Sequence, residues 1–156
     1  MVKKSLLLML LAIASVSVTN AQELRIGAGL NYSTGIEQMG IGIDGIYAFN
    51  KKWELAAGYD HMFENYNYTW NILDLDGRYN FANSGKSTFY AVGGLNITWH
   101  KWDDAIIKSS ITDFGLNLGA GVNIPLGSKF VLNPEAKFTI QDESYFRIGC
   151  GIQYVF

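Results

Sequence analysis

The chain is short of most features that hold small exported proteins together. Of its 156 residues one is cysteine, Cys150, and two are proline. A single cysteine cannot form an intrachain disulfide, so a small secreted fold stapled by bridges is excluded. Charge of one sign is also lacking. Twelve Lys and Arg against fourteen Asp and Glu leave a formal charge of −2, a balance that does not point to nucleic acid. Beyond the first twenty or so residues, no apolar run is long enough for a membrane helix. A mature chain living in a membrane would therefore have to cross it as a closed barrel, the other way to satisfy every backbone polar group.

What is present suits strands. Aromatic residues make up 14% and glycine contributes 17 residues, a mix favoured on pleated surfaces and at tight turns. The first residues stand apart. Met1-Val2-Lys3-Lys4 is basic, residues 5–18 are almost all apolar, and Thr19-Asn20-Ala21 is small and polar. That order describes a secretory signal peptide, with cleavage expected after Ala21. An N-terminal anchor is the rival reading, but the apolar run falls short of the ~20 residues a spanning helix needs. No cysteine follows it, which argues against a lipoprotein. The division expected is a leader over residues 1–21 and one domain over residues 22–156.

From Leu24 onward the chain alternates with period two, the strand signal. Eight segments follow one another. Their apolar faces carry Leu24, Ile26, Ala28, Leu30 and Tyr32; Ile41, Ile43, Tyr47 and Phe49; Trp53, Leu55, Tyr59 and Phe63; Leu73, Leu75, Tyr79 and Phe81; Phe89, Ala91, Leu95, Ile97 and Trp99; Phe114, Leu116, Leu118 and Val122; Phe130, Leu132, Pro134, Ala136 and Phe138; and Phe146, Ile148, Cys150, Ile152, Tyr154 and Phe156. The fourth segment starts out of phase at Trp70 and Ile72, which a bulge or a late strand start would explain. Pro134 lacks a backbone donor and marks a bulge or weak rung. Cys150 is expected to face lipid as a small apolar residue.

The opposite faces carry the charges: Arg25, Asp44, Glu54, Asp60, Asp74, Asp76, Arg78, Glu135, Lys137 and Arg147. Most glycines share that side, where a narrow barrel needs small residues to make room. Each segment runs about ten residues, the length a tilted strand needs to cross a bilayer. Aromatics fall near strand ends on the apolar face. Tyr47, Phe49, Trp53, Tyr79, Phe81, Phe89, Phe130, Tyr154 and Phe156 would make one belt, and Tyr32, Phe63, Trp99, Phe114 and Phe146 the other, as expected at membrane interfaces. A soluble eight-stranded barrel of the lipocalin kind would need all these large apolar groups inside, and its interior is too narrow for them. The expectation is one connected salt-bridge network plugging the lumen, since an unpaired buried charge is costly.

Turns at residues 50–52, 82–87 and 125–129 are polar and compact. With both termini on their side, they face the periplasm. The stretches at residues 33–38, 64–69, 101–110 and 141–144 then face outward as short loops.

Several spellings mimic chemical sites. Gly40-Ile41-Gly42-Ile43-Asp44-Gly45 matches a dinucleotide fingerprint, but the strand pattern continues through it and no helix follows. Ser84-Gly85-Lys86-Ser87 resembles the end of a P-loop and reads better as a turn. His61 and His100 lie near outer strand ends with Ser109 and Ser110 nearby. No serine lies two residues from either histidine, as a same-face pair on one strand would require, so no nucleophile is assigned. No catalytic residue, cofactor site or metal site is expected.

The final strand, Arg147-Ile148-Gly149-Cys150-Gly151-Ile152-Gln153-Tyr154-Val155-Phe156, alternates to a terminal Phe, and the first opens with Gly27-Ala28-Gly29-Leu30-Asn31-Tyr32. On these residues the chain resembles the small eight-stranded outer-membrane proteins of the OmpX and OmpA transmembrane-domain type. The resemblance implies an all-β fold, an eight-stranded antiparallel up-and-down transmembrane barrel in the Gram-negative outer membrane, reached by the Sec pathway. It implies that Tyr154 and Phe156 form a signal read by the barrel-assembly machinery, and that the partners are outer-membrane lipid and lipopolysaccharide around a monomer. No peptidoglycan-binding domain is expected behind the barrel. The role expected is structural or surface-interacting. The alternatives are a narrow pore for ions or small solutes and a lipid A-modifying enzyme.

Overall fold

A computed structural model describes residues 23–65, 67–103 and 108–156. The leader expected over residues 1–21 lies outside the described residues. Eight strands follow in chain order: β1 (Glu23–Ser33), β2 (Gln38–Ala48), β3 (Trp53–Asn65), β4 (Tyr68–Ser84), β5 (Ser87–Asp103), β6 (Lys108–Leu126), β7 (Phe130–Ile140) and β8 (Tyr145–Val155). Each pairs antiparallel with the next, and β8 returns to β1 to close the barrel. Closure removes the unpaired edges that an open sheet would present. No helix among the described residues is long and apolar enough to cross a membrane.

Alternation sorts the side chains as period two requires. Ile43, Leu75, Leu95 and Leu118 point outward and are about half exposed or more, between 49% and 63%. Arg25, Asp74, Asp76, Arg78 and Arg147 point inward and are only 2–3% exposed. A protein whose aliphatic side chains lie outside and whose ionised ones lie inside has its apolar solvent around it. Cys150 is exposed on the outward face, opposite Leu30 on β1 and Pro134 on β7.

Three local expectations change or are narrowed. Trp70 and Ile72 sit in regular pairing with Met62 and Asp60 of β3, and with His100 and Thr98 of β5. They are not out of phase. They hold the same inward phase as Asp74, and they are buried at 4% and 0% exposure. The register shifts lie elsewhere: Phe63 and Glu64 face Thr69 alone, and Phe81 is the extra residue opposite Tyr90–Phe89. Pro134 produces a weak rung and no bulge. Pairing of β6 with β7 runs from Leu116↔Ile140 to Gly121↔Glu135 and resumes at Ile124↔Leu132 in the same register. The carbonyl of Val122 accepts a bond from Asn133 Nδ2 at 3.3 Å across the gap.

The third change concerns length. β4, β5 and β6 run 17, 17 and 19 residues, beyond the ten or so expected. On the outer side, β5 and β6 pair as far as Asp103↔Lys108, and Thr69, Trp70, Thr98, Trp99, Ile111 and Thr112 are all strand formers. Residues 101–103 and 108–110 of the short loop expected there belong instead to the paired ends of β5 and β6. On the inner side, Ser84 pairs with Ser87, and Gly85 takes φ +60 at a two-residue turn. That turn holds the P-loop-like spelling, and the dinucleotide-like spelling lies inside β2.

One glycine shows how tightly the wall is drawn. Gly29 faces Gly42 on β2 and Gly151 on β8. A Cβ there would stand 2.7 Å from both the Cys150 carbonyl oxygen and the Gly151 Cα. Those are backbone atoms, which cannot swing aside. Gly29→Val is expected to cost about 1–3 kcal/mol, read as a lower urea midpoint for unfolding of the detergent-folded barrel. An unchanged midpoint would mean that the strands can separate freely here.

Candidate functional site in the barrel lumen

The inward faces of all eight strands meet in one chain of polar contacts, built here from the end that holds both termini. At that mouth Arg25 on β1 reaches Glu54 on β3 at 2.6 Å and Glu23 at 3.1 Å. Asn80 donates to the same Glu54 oxygen at 3.2 Å. A recess of about 250 Å³ opens beside them, lined also by Thr88, Asn123 and Val131.

Gln153 on β8 is the connector to the next layer. Arg25 donates to its Oε1 at 3.0 Å, and its Nε2 donates at 3.0 Å to both Asp44 and Asn133. Arg78 then bonds Glu135 at 2.7 Å, stands 4.0 Å from Asp44, and lies over the Tyr90 ring. The Tyr90 hydroxyl donates to Glu135 at 2.7 Å and accepts from Asn133 at 2.7 Å.

The densest layer is central. Lys137 Nζ lies 2.7 Å from Asp74, 2.8 Å from Asp76 and 3.3 Å from Glu135. Arg147 bonds Asp74 and reaches Asp60 at 3.1 Å. Asn117 donates to both Asp74 and Asp76, Asn96 donates to Asp74, and Asn31 donates to Asp60. Thr139 orients Asn117 by donating to its carbonyl oxygen. Such packing of donors around carboxylates is what a buried charge requires.

Above this layer the lumen turns apolar. Ile36, Met62, Trp70, Ile72 and Tyr145 form a buried cluster, with the Trp70 and Tyr145 rings 5.3 Å apart. The Tyr145 hydroxyl meets Thr98 at 3.1 Å and accepts from Asn96 at 3.3 Å, so one side chain joins the greasy cap to the polar network.

All ten charged residues expected in the lumen point into it. Ion pairs alone leave two groups, Glu23–Arg25–Glu54 and the cluster from Asp44 to Asp60. Gln153 joins them, so the single salt-bridge network of the sequence reading is a mixed one. Six of the ten are acids and four are bases. The excess acid has room for water: a cavity of about 70 Å³ lies against the glycine-rich wall of β1, β2 and β8, lined by Asp44, Asp60, Arg78 and Arg147. That volume suits a few water molecules, since each occupies ~30 Å³ in the liquid.

The fourteen aromatics expected in two belts all point outward. At the inner end they meet edge to face or tilted, Tyr47 on Phe49, Trp53 on Tyr79, Phe130 on Tyr154, and Tyr154 on Phe156. The histidines have other engagements than a serine. His61 Nδ1 is 2.8 Å from Asn71 Oδ1, which also accepts from the Tyr59 hydroxyl. His100 Nε2 is 2.8 Å from Asp113, with the ring edge-on to Trp70. Among the described residues no group of three or more His, Cys, Asp or Glu could hold a metal ion. Sequence reasoning missed the bridging roles of Gln153, Tyr90, Asn117 and Tyr145; their inward phase was the available signal.

Comparison with known proteins gives the same architecture. The model of the outer membrane protein beta-barrel domain family matches residues 5–154. Among curated proteins no sequence relative is found. The N-terminal β-barrel domain of Pseudomonas aeruginosa OprF superposes with a TM-score of 0.74 at 18% identity, covering 86% of this chain and 97% of that one. Neisserial surface protein A gives 0.67 at 14% identity, with 86% and 97% covered. The Yersinia pestis attachment invasion locus protein Ail gives 0.65 at 16%, with 89% and 100% covered. An eight-stranded closed barrel, a charged and buried interior, an apolar exterior and a family match over almost its whole length place this chain in the outer membrane protein beta-barrel domain family.

Proposed function

We propose that this protein is a sealed structural barrel of the outer membrane that also offers a surface for interaction, and that it is not a solute pore. The observation that carries the reading is the double closure of the lumen. A hydrogen-bonded charge network fills the middle, and the cap of Trp70, Ile72, Met62, Ile36 and Tyr145 stops the outer end. A channel needs water-filled cross-section, and the central cavity has room for only a few waters. In planar bilayers the purified barrel is expected to give no discrete, reproducible openings. Steady unitary conductance would favour the pore.

The surface role is supported by the hairpin above the rim. Tyr68 and Trp102 stack there with centroids 5.1 Å apart, 39% and 43% exposed, beside Ile111 at 60%. Ail is named for attachment and invasion, and one of its structures holds a heparin analogue. The outer loops and strand ends of this chain carry the exposed acids Glu37, Glu64, Asp142 and Glu143, so a sulfated sugar would be repelled and a neutral or cationic partner fits better. Cells displaying Tyr68→Ala/Trp102→Ala are expected to lose adhesion or partner binding seen with the wild type, and equal binding would remove the hairpin from the account.

Delivery follows from the remaining expectations: Sec export by residues 1–21, assembly through Tyr154 and Phe156, and residence as a monomer among lipid and lipopolysaccharide. The lipid A-modifying alternative gains nothing from the engagement of His61 by Asn71 and His100 by Asp113. Lipid A altered by the wild type but not by His61→Ala or His100→Ala would revive it.

A further inference from the structure

The charges outside the lumen are sorted by end. The three turns on the side of the termini carry Lys51, Lys52, Lys86 and Lys129, all exposed. None of these turns carries an acid, and the nearby Glu23 is paired with Arg25. Among the described residues none of the four lysines has an ion-pair partner. Each sits beside the inner aromatic belt. Lys51 and Lys52 lie between Phe49 and Trp53, and Lys86 follows the β4 end that bears Phe81 and precedes Phe89. Lys129 adjoins Phe130, with its Nζ 5.8 Å from the Tyr154 ring. Among the described side chains the outer end is the reverse, with Glu37, Glu64, Asp142 and Glu143 exposed against Lys101.

We propose that the periplasmic rim is a binding surface for anionic glycerophospholipid headgroups, with Lys51, Lys52, Lys86 and Lys129 as the cationic contacts and the aromatic belt fixing their depth. Aromatic rings of this kind settle at headgroup level. A lysine one to three residues from such a ring can keep its stem along the apolar surface and raise its ammonium to the phosphate layer. The cations stand on three separate turns, so they span an arc of the barrel and favour a ring of boundary lipids. A single soluble ligand would need them gathered in one place. The surface lies apart from the lumen and from the outer hairpin.

The test uses the folded full barrel in phosphatidylcholine bilayers, with spin-labelled phosphatidylglycerol or phosphatidylcholine as probe, read as the motionally restricted fraction in EPR spectra. The anionic probe is expected to associate at least about threefold more strongly than the zwitterionic one, and 0.5 M salt should erase most of the preference because of screening. The quadruple variant Lys51→Gln/Lys52→Gln/Lys86→Gln/Lys129→Gln should abolish the preference, the corresponding Lys→Arg variant should keep it, and Lys101→Gln should not change it. Equal association of both probes with the wild type would overturn the proposal, as would an undiminished preference in the Gln variant. Should the Gln variant fail to fold, the wild-type ratio, its salt dependence and the Arg variant still decide. Lysine-dependent co-sedimentation with peptidoglycan, with no preference for the anionic lipid, would assign the rim to that polymer and refute the lipid assignment.

Discussion

Arg147→Met is expected to destabilise the folded barrel by about 3–5 kcal/mol, because it leaves buried carboxylates without their cation. Arg147 is the shared partner of Asp74 and Asp60, and it is 2% exposed. Lys137 would remain beside Asp74, but it already serves Asp76 and Glu135. Among the described residues Asp60 would keep only the Asn31 amide as a hydrogen-bond donor. The measurement is urea unfolding of the wild type and variant folded in the same detergent or bilayer. Adding Asp74→Asn to Arg147→Met should recover part of the loss, since it removes one of the stranded charges. If Arg147→Met matched the wild type, the network would be idle and the lumen would have to be hydrated far beyond its 70 Å³ cavity.

Leu118→Arg is expected to cost about 2–4 kcal/mol, the penalty for a guanidinium at mid-bilayer on the lipid face of a barrel. Leu118 points outward on β6 midway between Phe114 and Val122, opposite Gly93 and Phe138, and is 55% exposed. Leu126, on the same strand at the inner turn, is a depth control. Leu126→Arg should cost only ~0–1 kcal/mol, because the charge reaches the headgroups. The two variants carry the same side-chain change, so their difference reports depth. Equal costs, or none at either site, would mean that the outward face of β6 does not meet lipid. Gly29→Val probes another kind of limit, the approach of three strands where β1 meets β2 and β8.

Much of this was legible in the chain because period two is a strict code. One residue of slip would turn Ile43, Leu75 and Leu118 inward and send Asp44, Asp76 and Lys137 into lipid, so only one register fits. The ten lumen charges could be placed on that ground alone. Trp70 and Ile72 could not. Large and apolar, they look like lipid-facing residues, and only the three-dimensional cluster with Ile36, Met62 and Tyr145 explains why they turn inward. The rule that inward means polar fails where a lumen is stoppered rather than filled with water. The overrun of β5 and β6 was hidden for a different reason. Thr, Trp and Ile favour strands in water and lipid alike, so the pattern carries no mark where the membrane stops. Gln153 was hidden by its type: an amide can donate and accept at once, and its partners come from β1, β2 and β7, far away in sequence.

Nuclear Overhauser contacts from lipid acyl chains to the wild-type barrel test the two-sided sorting most directly, with no substitution to disturb it. Cross-peaks from acyl protons are predicted to the methyl groups of Leu75, Leu95 and Leu118, and none to the side-chain amides of Asn96, Asn117 and Asn133. Acyl contacts to those amides, with the leucine methyls silent, would contradict the account.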